Sequence, residues 1–154
     1  MQSKTPDPLA ATAEGWAEGA HRNAQRLASM LGVSGDQFDA DPLAVLPALE
    51  NYVSRLPLDE FEQSDWITLH TDLISFLGDV LVRRRGATWI KAVDASSPAG
   101  FRYLVEAEGL DGDLRRVEPY DVVMEEFQHL PIEITRMIAN AEAVLHVTPD
   151  VGGS

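Results

Sequence analysis

Three features of the chain point to an α+β architecture. Apolar residues recur at helical spacing up to about residue 85, short aromatic and β-branched runs follow between 87 and 118, and helical spacing then returns from Pro119. The expected fold is a three-stranded antiparallel meander packed on a long central helix, with flanking N-terminal and C-terminal helices. At 154 residues the chain suits one main domain. Its expected organisation is an N-terminal helix and linker over 1–40, the α+β domain over 41–148 and a tail over 149–154.

Residues 1–8 contain Pro6 and Pro8 and no periodicity, which predicts a frayed arm. Between Ala10 and Leu31, Trp16, Ala20, Ala24, Leu27 and Leu31 share one face of an amphipathic helix that Gly32 ends. Gly15 and Gly19 each weaken that helix by roughly 1 kcal/mol relative to alanine, so its folding depends on docking. The stretch 33–42 is polar and turn-rich and reads as a linker. Asp41-Pro42 predicts a cap followed by a first helical proline, opening a helix near 42–56 with Leu43, Leu46, Leu49, Val53 and Leu56 on one side. Pro47 makes that helix start late or bend, and Pro57 ends it.

An acidic connection over 58–64 leads to Ser64, a candidate cap for the central helix Asp65–Arg85. Trp66, Leu69, Leu73, Phe76, Leu77, Val80 and Leu81, joined by Ile67 and Ile74, form its apolar face. Thr68, Asp72, Ser75, Asp79 and Arg83 form a polar stripe expected to face water, and Asp79 and Arg83 make a favourable i,i+4 pair. Arg83, Arg84 and Arg85 fall in the last turn, where the helix dipole attracts cations, and Gly86 supplies the left-handed stop.

Residues 87–94, 101–108 and 113–118 read as three strands, separated by the turn signals Ala-Ser-Ser-Pro-Ala-Gly and Gly-Leu-Asp-Gly. Phe101, Tyr103, Val105 and Ala107 alternate with wetter positions and should face the central helix. Pro119 opens a helix to about His129 with Val122, Val123 and Phe127 inward. Pro131 opens the last helix, with Ile134, Met137, Ile138, Ala141 and Leu145 on one face. Gly78 is expected to admit a neighbouring backbone, and Trp89 to anchor the core.

The net charge is −13, from 12 basic and 25 acidic residues, which disfavours direct nucleic-acid binding and attraction to anionic lipid. Residues 87–154 carry more than half of that surplus. No cysteine is present, so disulfides and thiolate metal sites are excluded. No apolar window is long enough to span a bilayer, and the opening residues lack the apolar core of a leader, so a cytoplasmic protein without membrane contact is expected.

No catalytic, cofactor-binding or metal-binding residue is assigned. His21, His70, His129 and His146 form no i,i+3 or i,i+4 pair, and His70 and Asp72 are two residues apart, wrong for one helical face. Nucleophile elbows and phosphate-binding glycine loops are missing. Asp111-Gly112-Asp113 lacks the twelve-residue ligand series of a calcium loop. Asp65, Asp72 and Asp79, seven residues apart, mark a wet helix edge.

From about Asp41 to Val147 the order is a leucine-rich helix, a helix carrying Leu77-Gly78-Asp79-Val80, a Gly86-x-x-Trp89 strand, a short meander and more helix. This layout resembles a group of small bacterial domains of unknown function, some similar to stand-alone actinobacterial proteins, with an L-G-E-V-like helix before a G-x-W strand. Asp79 stands where that stretch often has glutamate. The resemblance implies the fold and no activity, and similar small domains serve as immunity proteins against polymorphic toxins.

Three functions are weighed. The first is a non-enzymatic protein-binding module with a basic partner, in its sharpest form an immunity protein, for which Arg83, Arg84, Arg85, Glu106, Glu108, Asp111 and Asp113 are the candidate contact residues. The second is a small enzyme or ligand-binding domain with a pocket near Trp89, Tyr103 and Tyr120 and with Asp72, Asp79 or His70 as acid or base. The third is a nucleic-acid mimic, whose acidic surface Arg102, Arg115 and Arg116 interrupt.

Overall fold

A computed structural model of the chain describes residues 12–149. The elements run α1 (Ala13–Met30), α2 (Gly35–Ala40), α3 (Leu46–Ser54), α4 (Gln63–Arg85), β1 (Thr88–Val93), β2 (Phe101–Glu108), β3 (Leu114–Val117), α5 (Pro119–Phe127) and α6 (Ile134–Leu145), with 3-10 turns at Pro42–Val45 and Leu58–Glu60. The fold is α+β, and the three strands form an antiparallel sheet in the order β1-β2-β3. Trp89 lies opposite Val105, and Val105 opposite Val117, so these three buried residues form one row across the sheet, with the buried Ala107 two positions further along β2. The expected frayed arm and nearly all of the tail lie outside the described residues.

Helix α4 supplies the centre of the core. Leu73, Phe76, Leu77, Val80 and Leu81 are fully buried, and each such side chain contributes about 1.5–3 kcal/mol when removed from water. Ala20, Ala24, Leu27 and Ala28 of α1 join the same core, so the N-terminal helix docks on α4 as its glycines require. Gly32 ends that segment in a left-handed conformation, φ 90°. All five α6 residues expected to share a face are buried.

Several local expectations are corrected. The supposed linker 33–42 contains α2: Ser34 and Gln37 satisfy each other's backbone N–H groups at 3.1 and 3.0 Å, a capping box, and Phe38 is fully buried. Asp41 does cap, accepting from Leu43 N at 3.0 Å, but the turn it opens is 3-10 and α3 begins only at Leu46. Ser64 lies inside α4, whose cap is Glu62, with Asp65 accepting from its backbone N–H at 3.0 Å. Ile67 is 57% exposed instead of joining the buried face of α4. Pro131, in a cis peptide bond, precedes α6 instead of opening it, and the helix starts at Ile134. Its first N–H groups are satisfied from α3: Glu50 accepts from Ile134 N and Thr135 N, both at 3.0 Å.

Asp65, Thr68 and Arg83 face water as expected, but the middle of the polar stripe of α4 does not. Helix α1 covers Asp72, Ser75 and Asp79, leaving the last two buried, and supplies the partners that burial demands. Asn23 donates to Asp72 Oδ1 at 3.1 Å and Ser75 Oγ at 3.0 Å, and His21 Nδ1 donates to Asp79 Oδ2 at 2.9 Å. Arg83 Nη2 (2.9 Å) and Asp39 Oδ1 (3.3 Å) both approach His21 Nε2.

Arg83, Arg84 and Arg85 end α4 at Gly86, which is left-handed (φ 67°, ψ 23°). Arg83 pairs within the helix with Asp79 at 3.3 Å, while Arg84 and Arg85 bolt α4 to α6 by reaching the buried Glu142 at 3.4 and 2.9 Å. Gly78 faces an indole and not a backbone, since a Cβ there would sit 2.1 Å from Trp89 Cζ2.

Candidate functional site

The loop 94–100 between β1 and β2 closes on itself through Asp94. Ser96 donates to Asp94 Oδ1 from its backbone at 3.0 Å and its hydroxyl at 2.6 Å, and Asp94 N donates to Gly100 O at 2.9 Å. Those Ser96 bonds, with the Arg102 charge, hold the Asp94 carboxyl below its usual range. The loop, α1, β2 and the start of α5 enclose a first cleft of about 470 Å³.

Aromatic residues make its walls. Trp16 of α1 stacks on Tyr103 of β2 with ring centroids 4.3 Å apart and planes within 7°, and meets Trp89 edge-on at 5.8 Å. Tyr120 completes the lining from α5. Arg102, Glu118 and Asp121 give the cleft its charge: Arg102 bridges Asp94 and Glu118, each at 2.8 Å. Glu118 Oε1 is enclosed yet accepts no hydrogen bond, because Arg102 Nη1 approaches it close by but outside hydrogen-bonding geometry.

Burial pushes the Glu118 carboxyl up from 4.5 to about 7, reinforced by the hydrogen bond and charge of Asp121 and by Asp94, against the opposing pull of Arg102. A carboxyl that holds its proton more tightly in the folded chain stabilises the fold below its ordinary value and loses that contribution as pH rises through 7. Between pH 5 and 8 the wild type should therefore lose about 1 kcal/mol relative to Glu118→Gln, after allowance for solvent screening. Urea unfolding of both proteins at the two pH values measures this. A pH-independent difference would mean that Glu118 titrates as a solvated carboxylate.

A second cleft of about 480 Å³ lies between α4 and α5, lined by Trp66, Ile67, His70, Tyr120, Met124 and Phe127. His70 Nε2 donates to Tyr120 O at 3.1 Å and its ring lies 4.4 Å from that of Tyr120. Burial lowers the His70 pKa, with the Tyr120 carbonyl opposing. Tyr120 lines both clefts, and four of the large apolar side chains left exposed, Trp16 (37%), Ile67 (57%), Tyr120 (51%) and Met124 (38%), line one or the other.

The candidate residues fall in five places. Trp89, Tyr103 and Tyr120 do meet, at the first cleft, and His70 lies in the second, but Asp72 and Asp79 line neither and serve the α1–α4 contact. Arg83, Arg84 and Arg85 are engaged at the end of α4. On the hairpin of β2 and β3, Glu106 pairs with Arg116 at 2.9 Å and Asp111 receives two Arg115 hydrogen bonds at 2.7 Å. These bonds hold Asp111 well below the carboxylate range. Asp113 lies 3.8 Å from Arg115, and Glu108 is exposed nearby. None of the seven candidate contact residues lines either cleft.

Sequence reasoning missed Trp16, Arg102, Glu118, Asp121 and Met124 as site residues. The acidic run around Glu118-Pro119-Tyr120-Asp121 was the available signal for two of them. Among the described residues, no group of three or more His, Asp or Glu side chains is arranged to hold a metal ion, and no helix is long and apolar enough to cross a membrane. No protein-family model, curated protein or solved structure matches the chain.

Proposed function

We propose that the chain is a non-enzymatic protein-binding module, working in the cytoplasm, whose docking face is the pair of clefts joined at Tyr120. The observation that carries this reading is the clustering of half-exposed Trp16, Ile67, Tyr120 and Met124 on aromatic clefts with Glu118 and Asp121 among the lining. Large amphipathic aromatics beside apolar side chains are the usual anchors of protein interfaces. The surplus of acids selects a basic partner and steers it inward. An immunity-like role against a basic toxin is the sharpest form of the proposal. Mimicry of nucleic acid is not favoured, because Arg102, Arg115 and Arg116 interrupt the acidic surface with ion pairs.

Selection of peptides from a random displayed library on the immobilised protein tests the proposal. Basic, apolar sequences should be enriched, should bind Tyr120→Ala at least about tenfold more weakly, and should release as salt rises. Enrichment no greater than on empty support, or equal retention by Tyr120→Ala, would sink it. A ligand-binding or enzymatic role for the first cleft is the second reading, favoured by Glu118, which is held where a general acid operates near neutral pH. A small molecule competing with the selected peptides would favour it.

A further inference from the structure

We propose that the first cleft is a pocket for a cationic side chain of the protein partner, arginine before lysine, recognised by the Trp16, Tyr103 and Tyr120 rings together with the Glu118 and Asp121 carboxylates. This rests on the docking role of the face and adds the chemistry of the residue that enters it.

The walls of the cleft suit a cation. Positive groups favour the faces of tryptophan and tyrosine, and the stacked Trp16–Tyr103 pair is half-open to solvent. The same cluster already receives a cation from within the chain: Lys91 Nζ lies 4.2 Å from the centroid of Phe101, whose ring packs edge-on against Tyr103 at 5.3 Å.

Hydrogen bonding points the same way. Glu118 Oε1 is enclosed with no aligned donor, and an apolar side chain entering the cleft would leave it so. An ammonium or guanidinium group supplies donors directly. The balance of charge agrees: among the described lining residues Asp121, and Glu118 once an entering cation draws off its proton, face a single guanidinium, Arg102, which also serves Asp94. An acidic side chain would be repelled. Arginine precedes lysine because a planar guanidinium can lie on an indole and present two N–H groups to a carboxylate at once.

The experiment titrates the ¹⁵N-labelled full chain with acetyl-Leu-Arg-Leu-amide, its lysine counterpart and its citrulline counterpart, which keeps the shape of arginine without the charge. The indole N–H resonances of Trp16 and Trp89 report the cleft. The arginine peptide should shift them saturably and bind at least about tenfold more tightly than the citrulline peptide. Asp121→Asn, a change at an exposed side chain, should narrow that gap, and Glu118→Gln should narrow it further. Equal binding of the arginine and citrulline peptides, or no shift with any peptide, overturns the inference. If displayed peptides are enriched while the arginine probe leaves the cleft unperturbed, the cation pocket is wrong and the docking face stands. If the probe binds as expected while the library yields no enrichment, the cation pocket stands and the docking face is wrong.

Discussion

Gly78→Ala should destabilise the protein by about 2–3 kcal/mol, although alanine is the better helix former by about 1 kcal/mol. The added Cβ would lie 2.1 Å from Trp89 Cζ2 and 2.9 Å from Cε2, inside any tolerable contact. The indole is buried and meets Trp16 edge-on, so relief requires moving one wall of the first cleft. Overpacking therefore outweighs propensity. Urea unfolding, with an unchanged denaturant slope to confirm a two-state comparison, measures the loss, and tryptophan emission should shift in the folded variant. A neutral or stabilised variant would show that Trp89 does not rest on Gly78.

Glu126→Ala is the second large effect, at about 3 kcal/mol. Only 2% of Glu126 is exposed, and its carboxylate gathers the corner between α5 and α6: Glu133 N donates to Oε2 at 2.8 Å and Arg136 Nε and Nη2 donate at 3.0 and 2.5 Å. Arg136 in turn donates to the carbonyls of His129 at 2.7 Å and Pro131 at 3.0 Å, fixing the turn that precedes α6. Alanine leaves a part-buried N–H without its acceptor and a guanidinium without its anion. Glu126→Gln keeps an oxygen for Glu133 N and should lose about half as much. Chemical unfolding of the two variants checks the order, and equal losses would assign the effect to packing instead of to the acceptor.

What the sequence discloses depends on how local the determinant is. The apolar faces of α4 and α6 and the alternation along β2 follow from period alone, because burying them needs only some opposing layer. The Gly86 stop is equally local. The start of α6 is not: its acceptor is Glu50, which lies 84 residues before Ile134. The stripe Asp72, Ser75 and Asp79 looks like a water-facing edge until Asn23 and His21 are known to cover it, because a satisfied buried carboxylate and a solvated one have the same letter. The first cleft is the extreme case. Its walls come from α1, β1, β2 and α5, and the burial that perturbs Glu118 exists only after all of them have packed.

The contact between α1 and α4 has a further consequence for the cleft. A greasy interface tolerates sliding, since one apolar side chain replaces another at small cost. Here Asn23 and His21 must find Asp72, Ser75 and Asp79, so a slip of one turn, about 5.4 Å, would leave enclosed donors and acceptors mismatched. The seam thus acts as a notch that fixes where α1 stops along its track. Trp16, five residues and about 7.5 Å before His21 on the same rigid rod, is delivered by that notch to its place over Tyr103. Whatever occupies the cleft meets a wall whose position is set at a distance, by polar groups it never touches.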